Sequence, residues 1–502
     1  MDHTVPFNLG DLHDRAQDPD KIALIDAGID GAPREYTYRE LEALICACAR
    51  GLVRRGLKRG DSVAIAARNG AQFLALYFAA MRAGFIAVPV NHKFPRDTIA
   101  FVLSDCDAKV VFCDAERQGL LPDSVPRVNF EDKAAWEAFV DPGPFETITP
   151  EPNEPAMVLY TSGSTGRPKG VLLSHAGHLW AVRARLKGGP YSGERLIVAA
   201  PLFHMNGLGT AKFAYAAHAS LVLMPQFDAR RYLQAIARHR VTWLTSVPTM
   251  LAMILNEREE LHRTDLSSVK FVRMGSAPAS DKLIVKLREA FPGAKISNVY
   301  GTSEAGPVMF GPHPDGRAKP DLALGWPLPE VEVRIVGADG QDAQAGVLWI
   351  RTPANMIRYL NLPDKTREAL TPEGWYKSGD LFRRDEAGAF YCEGRADDMF
   401  ICGGENIFPG EVEQMLERHP EILQACVVPV ADEVKGQKPV AFLVRRAGSQ
   451  LTEQQVREYA LAHAPAYQHP RRVFFLGQLP LAGTNKVDRK LLQAQATAAG
   501  AA

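Results

Sequence analysis

Apolar positions along most of the chain alternate between helical spacing and short continuous runs. The segment 36–56 has helical spacing, with a capping box from Thr37 to Glu40 at its start and Gly56 at its end. The pattern then predicts a strand in SVAIAA, an apolar helix in QFLALYFAAMRAG and a strand in FIAVPV, an order typical of a parallel sheet. The alternation continues with strands in AKVVFCD, RLIVAAP, SLVLMP, VTWLTS and VKFVRMG, and helices in DARRYLQAIARHR and SDKLIVKLREAF.

The pattern changes twice in the second half of the chain. From about Leu324, short strands and turns follow one another, which predicts a small antiparallel β subdomain. Two helices and three strands after Gly394 then predict an α+β domain, and the final AQATAAGAA is expected to be frayed. We therefore predict an α/β fold with a large N-terminal domain over 1–394, a hinge at 395–398 and a small mobile C-terminal domain over 399–502.

The composition is that of a globular protein with no electrostatic preference for polyanions. The 502 residues exceed the roughly 250–300 at which a single core stops growing, so two or more domains are expected. The 58 basic residues balance the 58 acidic ones, which gives no argument for binding nucleic acid or an anionic membrane surface. No segment has a targeting pattern or the ~18 apolar residues of a membrane span, so a cytoplasmic location is expected. The seven cysteines form no CxxC pair and fit reduced thiols, and nothing indicates the oligomeric state.

The segment YTSGSTGRPKG, at 160–170, combines glycines, hydroxyl groups and one lysine. Its glycines exclude a helix or strand interior, so it is predicted to be a loop. Its amides, its hydroxyls and the Lys169 ammonium would form a donor surface suited to phosphate oxygens. The spacing does not match a P-loop, and Pro168 favours Lys169 at the start of a strand. Taken alone, the segment could also be a flexible surface linker.

Five segments stand in a fixed order along the chain: YTSGSTGRPKG, PLFHMNG, YGTSEAG, GWYKSGD with GRADDMFICGGENIFPGEVE, and GTNKVDRK. Together they resemble the adenylate-forming (ANL) superfamily of acyl- and aryl-CoA synthetases, nonribosomal-peptide adenylation domains and firefly luciferase. The resemblance runs from about Tyr36 to Arg489. It implies that a carboxylate is joined to the α-phosphate of ATP with release of pyrophosphate, and that a thiol then displaces AMP to give a thioester.

The resemblance implies an ATP site with Mg²⁺. The loop hydroxyls, the glycine amides and Lys169 would hold the β- and γ-phosphates, and Glu304 would bind Mg²⁺. Tyr300 would stack on adenine, and Asp380 beside Arg395 would accept the ribose hydroxyls. The residues expected to bind ATP are Thr161, Ser162, Gly163, Ser164, Thr165, Gly166, Lys169, Ser276, Ala277, Pro278, Asn298, Tyr300, Gly301, Thr302, Ser303, Asp380 and Arg395.

The catalytic assignments rest on the same resemblance. Lys486 is expected to bridge the carboxylate and the α-phosphate in the first step, with His204 and Glu304 as further catalytic residues. Asp397 matches the position about which the small domain swings, a motion that would exchange Lys486 for the loop at 401–406. Without the motifs, Lys486 would be interpreted as a solvated amine and His204 as a core histidine bonded to a carbonyl. The expected coenzyme A tunnel contains Gly403, Gly404, Glu405 and Asn406.

Coenzyme A is the expected acceptor, because GGENIFPGEVE is the wording of acyl-CoA ligases and no carrier domain follows Lys486. A separate carrier protein, a light-emitting oxygenase and an inactive nucleotide-binding homologue are the alternatives. The chain departs from the family pattern at Leu481, at Asn485 and in the segment 467–470.

The pocket for the acid is expected to be small and mostly apolar. The stretches assigned to it contain no cationic residue, so a small-to-medium aliphatic or aromatic monocarboxylate is predicted, and Asn206 or Ser246 could bind a hydroxyl. The residues expected to line it are His204, Asn206, Gly207, Ser246, Met274, Gly275, Gly306 and Met309.

Overall fold

The computed structural model describes residues 7–28, 32–161, 167–277, 279–402, 405–483 and 486–500. The elements up to the end of the first large sheet are β1 (Ile22–Asp26), β2 (Arg34–Thr37), α1 (Tyr38–Arg54), β3 (Ser62–Ala66), α2 (Ala71–Arg82), β4 (Ile86–Pro89), α3 (Arg96–Asp105), β5 (Ala108–Cys113), α4 (Ala115–Gln118), β6 (Arg127–Asn129), α5 (Lys133–Phe139), β7 (Pro155–Thr161), β8 (Lys169–Ser174), α6 (His175–Leu186), β9 (Arg195–Val198), α7 (Met205–Ala216), β10 (Ser220–Leu223), α8 (Ala229–Arg238), β11 (Trp243–Ser246), α9 (Pro248–Asn256), α10 (Arg258–Arg263), β12 (Phe271–Gly275), α11 (Asp281–Ala290) and β13 (Lys295–Val299).

The remaining elements form the small β subdomain and the C-terminal region. The first group comprises β14 (Phe310–Gly311), β15 (Trp326–Pro327), β16 (Glu332–Val336), β17 (Ala345–Arg351), β18 (Arg358–Tyr359), α12 (Pro363–Ala369), β19 (Tyr376–Arg384), β20 (Phe390–Arg395) and a 3₁₀ turn at Ala396–Asp398. The second group comprises β21 (Phe400–Cys402), β22 (Glu405–Ile407), α13 (Pro409–Glu417), β23 (Ile422–Asp432), β24 (Gly436–Arg445), α14 (Glu453–His463), β25 (Arg472–Leu476) and α15 (Arg489–Ala498).

Two seven-stranded sheets form the large domain. The order β13-β12-β11-β9-β10-β1-β2 is parallel except at β1–β2, and the order β18-β8-β7-β4-β3-β5-β6 is parallel except at β18–β8 and β8–β7. The predicted mixture of parallel strands and helices is therefore confirmed. Lys169 is the first residue of β8, as Pro168 indicated.

The main core lies between these two sheets, where helices bury their apolar faces against both. It joins Leu196 and Leu221 of the first sheet to Val63 and Met157 of the second. The predicted capping box begins α1, because Glu40 N donates to Thr37 Oγ1 over 3.1 Å and Thr37 N donates to Glu40 Oε2 over 2.8 Å. Such a box satisfies amides at the helix start that have no partner within the helix.

Strands β16-β17-β19-β20 form the antiparallel subdomain that the turn-rich texture predicted. The C-terminal sheet has the order β22-β21-β24-β23, with β25 parallel to β24. Helices α13 and α14 pack on one face of this sheet, while α15 covers the other.

The predicted fraying of the last residues is wrong as far as Ala498. Asp488 caps α15 by accepting a 3.0 Å hydrogen bond from Leu491 N. Leu492 and Ala496 are fully buried against the C-terminal sheet. This tertiary burial outweighs the low complexity of the segment, because helix stability in proteins comes mainly from packing.

One lysine links the two domains. Lys282 of α11 donates from Nζ to three carbonyl oxygens between the end of α13 and the start of β23, those of Glu417 at 3.0 Å, His419 at 2.8 Å and Ile422 at 2.9 Å. Burial lowers the pKa of this lysine to about 8. The contact anchors the C-terminal domain by the end of one helix.

The cysteines and the helices show two further properties. All seven cysteines are free, as the sequence predicts, and all but Cys392 are buried. None of the helices within the described ranges combines the length and apolar character that crossing a membrane requires.

Candidate active site

A cleft of about 1640 Å³ lies where the large domain, the β subdomain and the C-terminal domain meet. It lies beyond the carboxyl ends of strands β9, β11, β12 and β13, the edge at which open α/β sheets bind ligands. The predicted site residues that line it are Thr161, Lys169, His204, Asn206, Ser276, Ala277, Asn298, Tyr300, Gly301, Thr302, Ser303, Glu304, Asp380, Arg395, Asp397 and Lys486. Segments far apart in sequence therefore meet at one place.

Several predicted residues lie outside the described part of the chain. These are Ser162, Gly163, Ser164, Thr165, Gly166, Pro278, Gly403 and Gly404. The loop they belong to at 162–166 is flanked by Thr161 and Lys169, which pair directly across β7 and β8. Glu405 is exposed and does not line the cleft, and Asn406 lies in β22.

Asp380 is the centre of a hydrogen-bonded network in the cleft. This buried carboxylate accepts hydrogen bonds from the Tyr300 hydroxyl and, over 3.2 Å, from Arg395 Nη1. Arg395 also donates to both carboxylate oxygens of Asp397, at 2.8 and 3.2 Å. Gly379 has φ +71°, and a Cβ there would lie 3.2 Å from Arg395 Nη2, so glycine suits both the backbone and the approach of the arginine.

Opposing effects set the protonation of this network. Burial raises the pKa of Asp380, and the positive charge of Arg395 partly offsets that effect. Burial opposes the charged form of Arg395, but the hydrogen bond to Asp397 and the charge of Asp380 outweigh it, so the arginine pKa is raised. The carboxylate and the guanidinium thus hold each other in a position where hydroxyl donors of a ligand could join them.

Lys486 brings a cation from the C-terminal domain to the same cleft. Its side chain is exposed to the cleft, yet desolvation by the surrounding walls lowers its pKa, with Asp380 acting in the opposite direction. Burial lowers the pKa of His204 to about 3, and the charge of Lys486 contributes to that shift. His204 is therefore neutral near pH 7 and adjoins the region that Lys486 reaches.

Glu304 and Lys169 approach a residue that the sequence did not single out. Glu304 is largely buried and accepts a 2.9 Å hydrogen bond from the hydroxyl of Tyr359. Lys169 Nζ lies 4.5 Å from the centre of the Tyr359 ring. Tyr359 pairs with Val171 through β18 and β8, a contact with no local sequence signal.

Three buried polar atoms on the cleft wall have no hydrogen-bond partner among the described residues. They are Thr161 Oγ1, His204 Nε2 and Asn206 Oδ1. The alternative interpretation of His204, as a core histidine bonded to a backbone carbonyl, therefore receives no support from Nε2. Unsatisfied buried polar atoms are rare in folded proteins, and a cluster of them fits a wall that binds a polar ligand.

Ser276 adds a backbone feature to the same wall. It has φ +69°, a conformation that is costly for a residue with a Cβ, and it is exposed to the cleft. Strain of this kind is concentrated at functional sites.

The residues fit a nucleotide with its metal ion. No group of three or more His, Cys, Asp or Glu side chains that could hold a metal occurs within the described ranges. A cation at Glu304 would therefore need further oxygen ligands from phosphate or water, the usual arrangement for Mg²⁺ bound with a nucleotide.

The predicted acid pocket is only partly assembled as expected. Gly207, Ser246, Gly306 and Met309 line neither the cleft nor the smaller cavity beside it. The Ser246 hydroxyl lies 3.1 Å from the Tyr232 hydroxyl in the second core, so the suggestion that it binds a substrate hydroxyl is wrong. Met309 is fully buried in the main core.

A cavity of about 60 Å³ adjoins the cleft and shares part of its wall. The predicted pocket residues Asn206, Met274 and Gly275 line it. It is also lined by Arg185, Arg273 and Thr245, none of which the sequence singled out. Arg273 directly precedes one of the stretches assigned to the acid pocket, and Arg185 lies on α6, outside all of them, so this cavity has cations on a wall where the sequence indicated none.

A family model described as AMP-binding enzyme matches residues 12–360, and one described as AMP-binding enzyme C-terminal domain matches residues 411–486. Sulfoacetate–CoA ligase of Cupriavidus necator is 31% identical over 496 residues, which covers 95% of both chains. 4-Coumarate–CoA ligase 2 of Solanum tuberosum is 31% identical over 499 residues, which covers 94% of this chain and 91% of the relative. The crystal structure of the anthranilate CoA ligase AuaEII in complex with anthranoyl-AMP is 25% identical, covers 99% of both chains and gives a TM-score of 0.87.

Proposed function

The chain belongs to the AMP-binding enzyme family, and from this premise we propose that its cleft is the active site of an AMP-forming acid–thiol ligase. The reaction joins a carboxylate to the α-phosphate of ATP, releases pyrophosphate, and then transfers the acyl group to the thiol of coenzyme A with loss of AMP. All three partners are small molecules.

One observation carries the proposal. Lys486, from the C-terminal domain, lines the same cleft as Asp380 and Arg395. Arg395 donates a hydrogen bond to Asp380 where the large domain and the β subdomain meet. Joining a carboxylate to a phosphate brings two anions together, so the barrier is lowered by a cation placed where negative charge develops. Lys486 is the cation at this position that can arrive or leave with a domain.

The other cleft residues take roles that their surroundings support. Asp380 would accept the ribose hydroxyls, and Tyr300, beside it, would form the adenine wall. The hydroxyl of Thr161 and the ammonium of Lys169 flank the loop proposed to hold the β- and γ-phosphates. Mg²⁺, when bound with ATP, would neutralise phosphate charge, and Glu304 is the carboxylate proposed to hold it.

The acceptor is proposed to be coenzyme A rather than a carrier protein. Two relatives that match nearly the whole chain are named as CoA ligases. With Lys486 at the cleft and Glu405 outside it, the arrangement is the one proposed for the adenylating step. A swing about Asp397 would bring the segment at 403–406 to the cleft for the second step. We therefore keep the proposed hinge at 395–398, between domains over 1–394 and 399–502.

The acid is the least determined partner. The named acids of the relatives are sulfoacetate and 4-coumarate, which differ in size and charge. The sequence favoured a monocarboxylate because no cation was expected in the pocket, and the arginines at the small cavity remove that reason.

The test is pyrophosphate release from ATP and Mg²⁺ over a panel of carboxylic acids, each with and without coenzyme A. We expect one acid class to give turnover that requires coenzyme A, and Lys486→Ala to slow adenylation by roughly 10²–10³-fold. Lys435→Ala, an exposed lysine of the same domain, serves as the matched control. If pyrophosphate is released but coenzyme A neither accelerates the release nor yields a thioester, a carrier protein is favoured as the acceptor. If no acid gives pyrophosphate release, the inactive homologue is favoured.

A further inference from the structure

The 60 Å³ cavity is positioned to receive the far end of an acid whose reacting carboxylate lies in the cleft. Its wall is continuous with that of the cleft through residues common to both, among them Asn206, Ser276 and Tyr300. A water molecule's share of liquid volume is about 30 Å³, so the cavity takes a group of only a few heavy atoms.

Two arginines line this cavity without a negative partner among the residues that the structure describes. Arg185 projects from the last turn of α6, and its Nη1 donates to the carbonyl of Gly209 over 2.9 Å. Its carbon Cζ lies 4.0 Å from the centre of the Phe213 ring, while Nη2 is buried and has no hydrogen-bond partner within the described ranges. Arg273, on β12, forms no ion pair with any described carboxylate, and neither does Arg185. Unpaired guanidinium groups in such surroundings are costly, and an anion would remove the cost.

The pKa values of the neighbouring groups report the same shortage of negative charge. Burial lowers the pKa of Arg273 to about 10. Burial and the charge of Arg273 hold the pKa of Arg185 well below its ordinary range. Behind them, burial and the charge of Arg185 lower the pKa of Lys212 to about 7. Only the hydroxyl of Tyr191 acts in the opposite direction on the arginines.

The cavity also carries neutral polar groups that lack partners. Thr245 Oγ1 and Asn206 Oδ1 are buried and make no hydrogen bond to any described residue. A hydroxyl, an amide and two guanidinium groups around a space of this size match the oxygens of one small anion.

We propose that Arg185 and Arg273 form an anion subsite that binds a second acidic group, a carboxylate or a sulfonate, at the far end of the acid substrate. The inference rests on the proposed function, because it assumes that the reacting carboxylate lies beside Lys486. It predicts a small acid with two anionic ends in place of the monocarboxylate. The two arginines then act as specificity-determining residues, because Arg matches the planar, bidentate geometry of such groups.

The experiment compares pairs of acids of similar length that differ in the distal group. Malonate is set against butyrate, succinate against pentanoate, and sulfoacetate against butyrate, with kcat/KM for pyrophosphate release in the presence of coenzyme A as the measure. We expect wild type to prefer the dianionic member by about a hundredfold or more, because a site built for a polar group rejects an analogue that lacks it. The carboxylate and sulfonate pairs distinguish the two chemical sources of the anion.

Three variants test the residues. Arg185→Gln and Arg273→Met are expected to lower the ratio of kcat/KM for the dianionic acids to that for the monoanionic acids by about tenfold to a hundredfold each. Arg273→Lys should restore part of it. Lys187→Met removes an exposed charge just beyond the end of α6 and should leave the ratio unchanged. The thermal unfolding midpoint of each variant shows whether it is folded.

The proposal is overturned if wild type turns over monoanionic acids at least as well as dianionic ones, or if the arginine variants lower both kcat/KM values equally. Calorimetric titration of malonate and sulfoacetate into the ATP-loaded protein separates the two inferences. Binding that requires the arginines without any turnover would keep the subsite and reject the ligase. Turnover of the monoanionic acids alone would keep the ligase and reject the subsite.

Discussion

At the scale of single residues, the cleft depends on polar and charged groups that bond to one another where they are shielded from water. Asp380 is buried, which by itself favours its neutral form, yet it keeps the hydroxyl of Tyr300 and the guanidinium of Arg395 within hydrogen-bond distance. A carboxylate with two donors still has lone pairs for two more. The vicinal hydroxyls of a ribose would supply them.

Asp380→Asn keeps the shape of this site while removing its charge and half of its acceptor capacity. We expect the KM for ATP to rise about tenfold to a hundredfold, since hydrogen bonds to a charged group are worth about 1.5–3 kcal/mol. The KM for coenzyme A should change little, because Asp380 is proposed to bind the ribose of ATP and has no proposed contact with coenzyme A. Steady-state kinetics with each substrate varied in turn measures both values.

Glu386→Gln is the matched control for this prediction, because it removes an exposed charge from the turn between β19 and β20. An unchanged KM for ATP in Asp380→Asn, with the control also unchanged, would show that the carboxylate does not bind the nucleotide.

The sequence could identify the residues that lie within contiguous motifs, and it missed those supplied by packing. The segments around Tyr300 and Asp380 carry their own patterns of glycine, hydroxyl and acidic residues. Tyr359 and Arg185 carry no such pattern, since each reaches its site through strand pairing or helix packing that local spacing does not encode. From sequence alone, a charged residue outside a motif is interpreted as a solvated surface residue, and only the folded structure shows that it lines a site.

At the scale of elements, strand alternation explains which pocket residues were missed. Successive side chains of a strand point to opposite faces of the sheet. In β11, Thr245 faces the small cavity while Ser246 faces Tyr232 in the second core. The strand was predicted where it occurs, but the sequence of a strand buried on both faces does not show which face meets the substrate.

A second element-scale feature is the hold of Lys282 on the end of α13. The last carbonyls of a helix have no partner within it and carry partial negative charge, so they attract a cation. Lys282 binds the last carbonyl of α13, that of Glu417, together with the carbonyls of His419 and Ile422 that follow it, and so docks the C-terminal domain. This contact belongs to the arrangement in which Lys486 lines the cleft. It should therefore favour the adenylating step over the thioester-forming one.

Lys282→Met is expected to slow adenylation by about tenfold, the effect of losing a charge-assisted contact of about 1.5 kcal/mol. Transfer of the acyl group from supplied acyl-adenylate to coenzyme A should keep its rate or become faster. Rapid-quench measurement of the two half-reactions separates them. Lys295→Met, an exposed lysine at the start of β13, is the control. Equal slowing of both half-reactions would mean that the contact stabilises the fold rather than one arrangement.

At the scale of the whole molecule, the order of elements predicted two architectures joined near residue 395, because period and turn content change there. The sequence did not predict which surfaces of these elements would pack against each other. The last helix illustrates this limit, since its alanines carry little information, yet Leu492 and Ala496 cover one face of the C-terminal sheet. Burial of that kind depends on the partner surface rather than on the helix itself.

Buried histidines give the whole molecule a predictable response to acid. Burial is the main cause that lowers the pKa of His13, His92 and His175 to about 4 and that of His204 to about 3. In the unfolded chain these groups have a pKa near 6.5, so between about pH 4 and 6.5 the unfolded state binds more protons. The contribution of these histidines to stability is therefore complete above pH 6.5 and falls as the pH drops through that window, by about 1.4 kcal/mol per pH unit for each histidine.

His13 allows this dependence to be tested away from the cleft. Neither ring nitrogen bonds to a described residue, and the ring lies 4.8 Å from that of Tyr38. Its charged surroundings are mixed, since Glu42 and Asp11 raise its pKa while Arg15 and His218 lower it, and burial outweighs them all. Phenylalanine keeps the ring and removes the titration.

We expect His13→Phe to unfold in urea at about the wild-type midpoint at pH 7.5. At pH 5.0 it should be more stable than wild type by about 2 kcal/mol, the difference that a pKa of about 4 against 6.5 produces. His262→Phe, at an exposed position of α10, should follow wild type at both pH values. If His13→Phe instead loses stability in parallel with wild type between the two pH values, His13 does not become charged on unfolding, and the acid sensitivity belongs to the remaining buried groups.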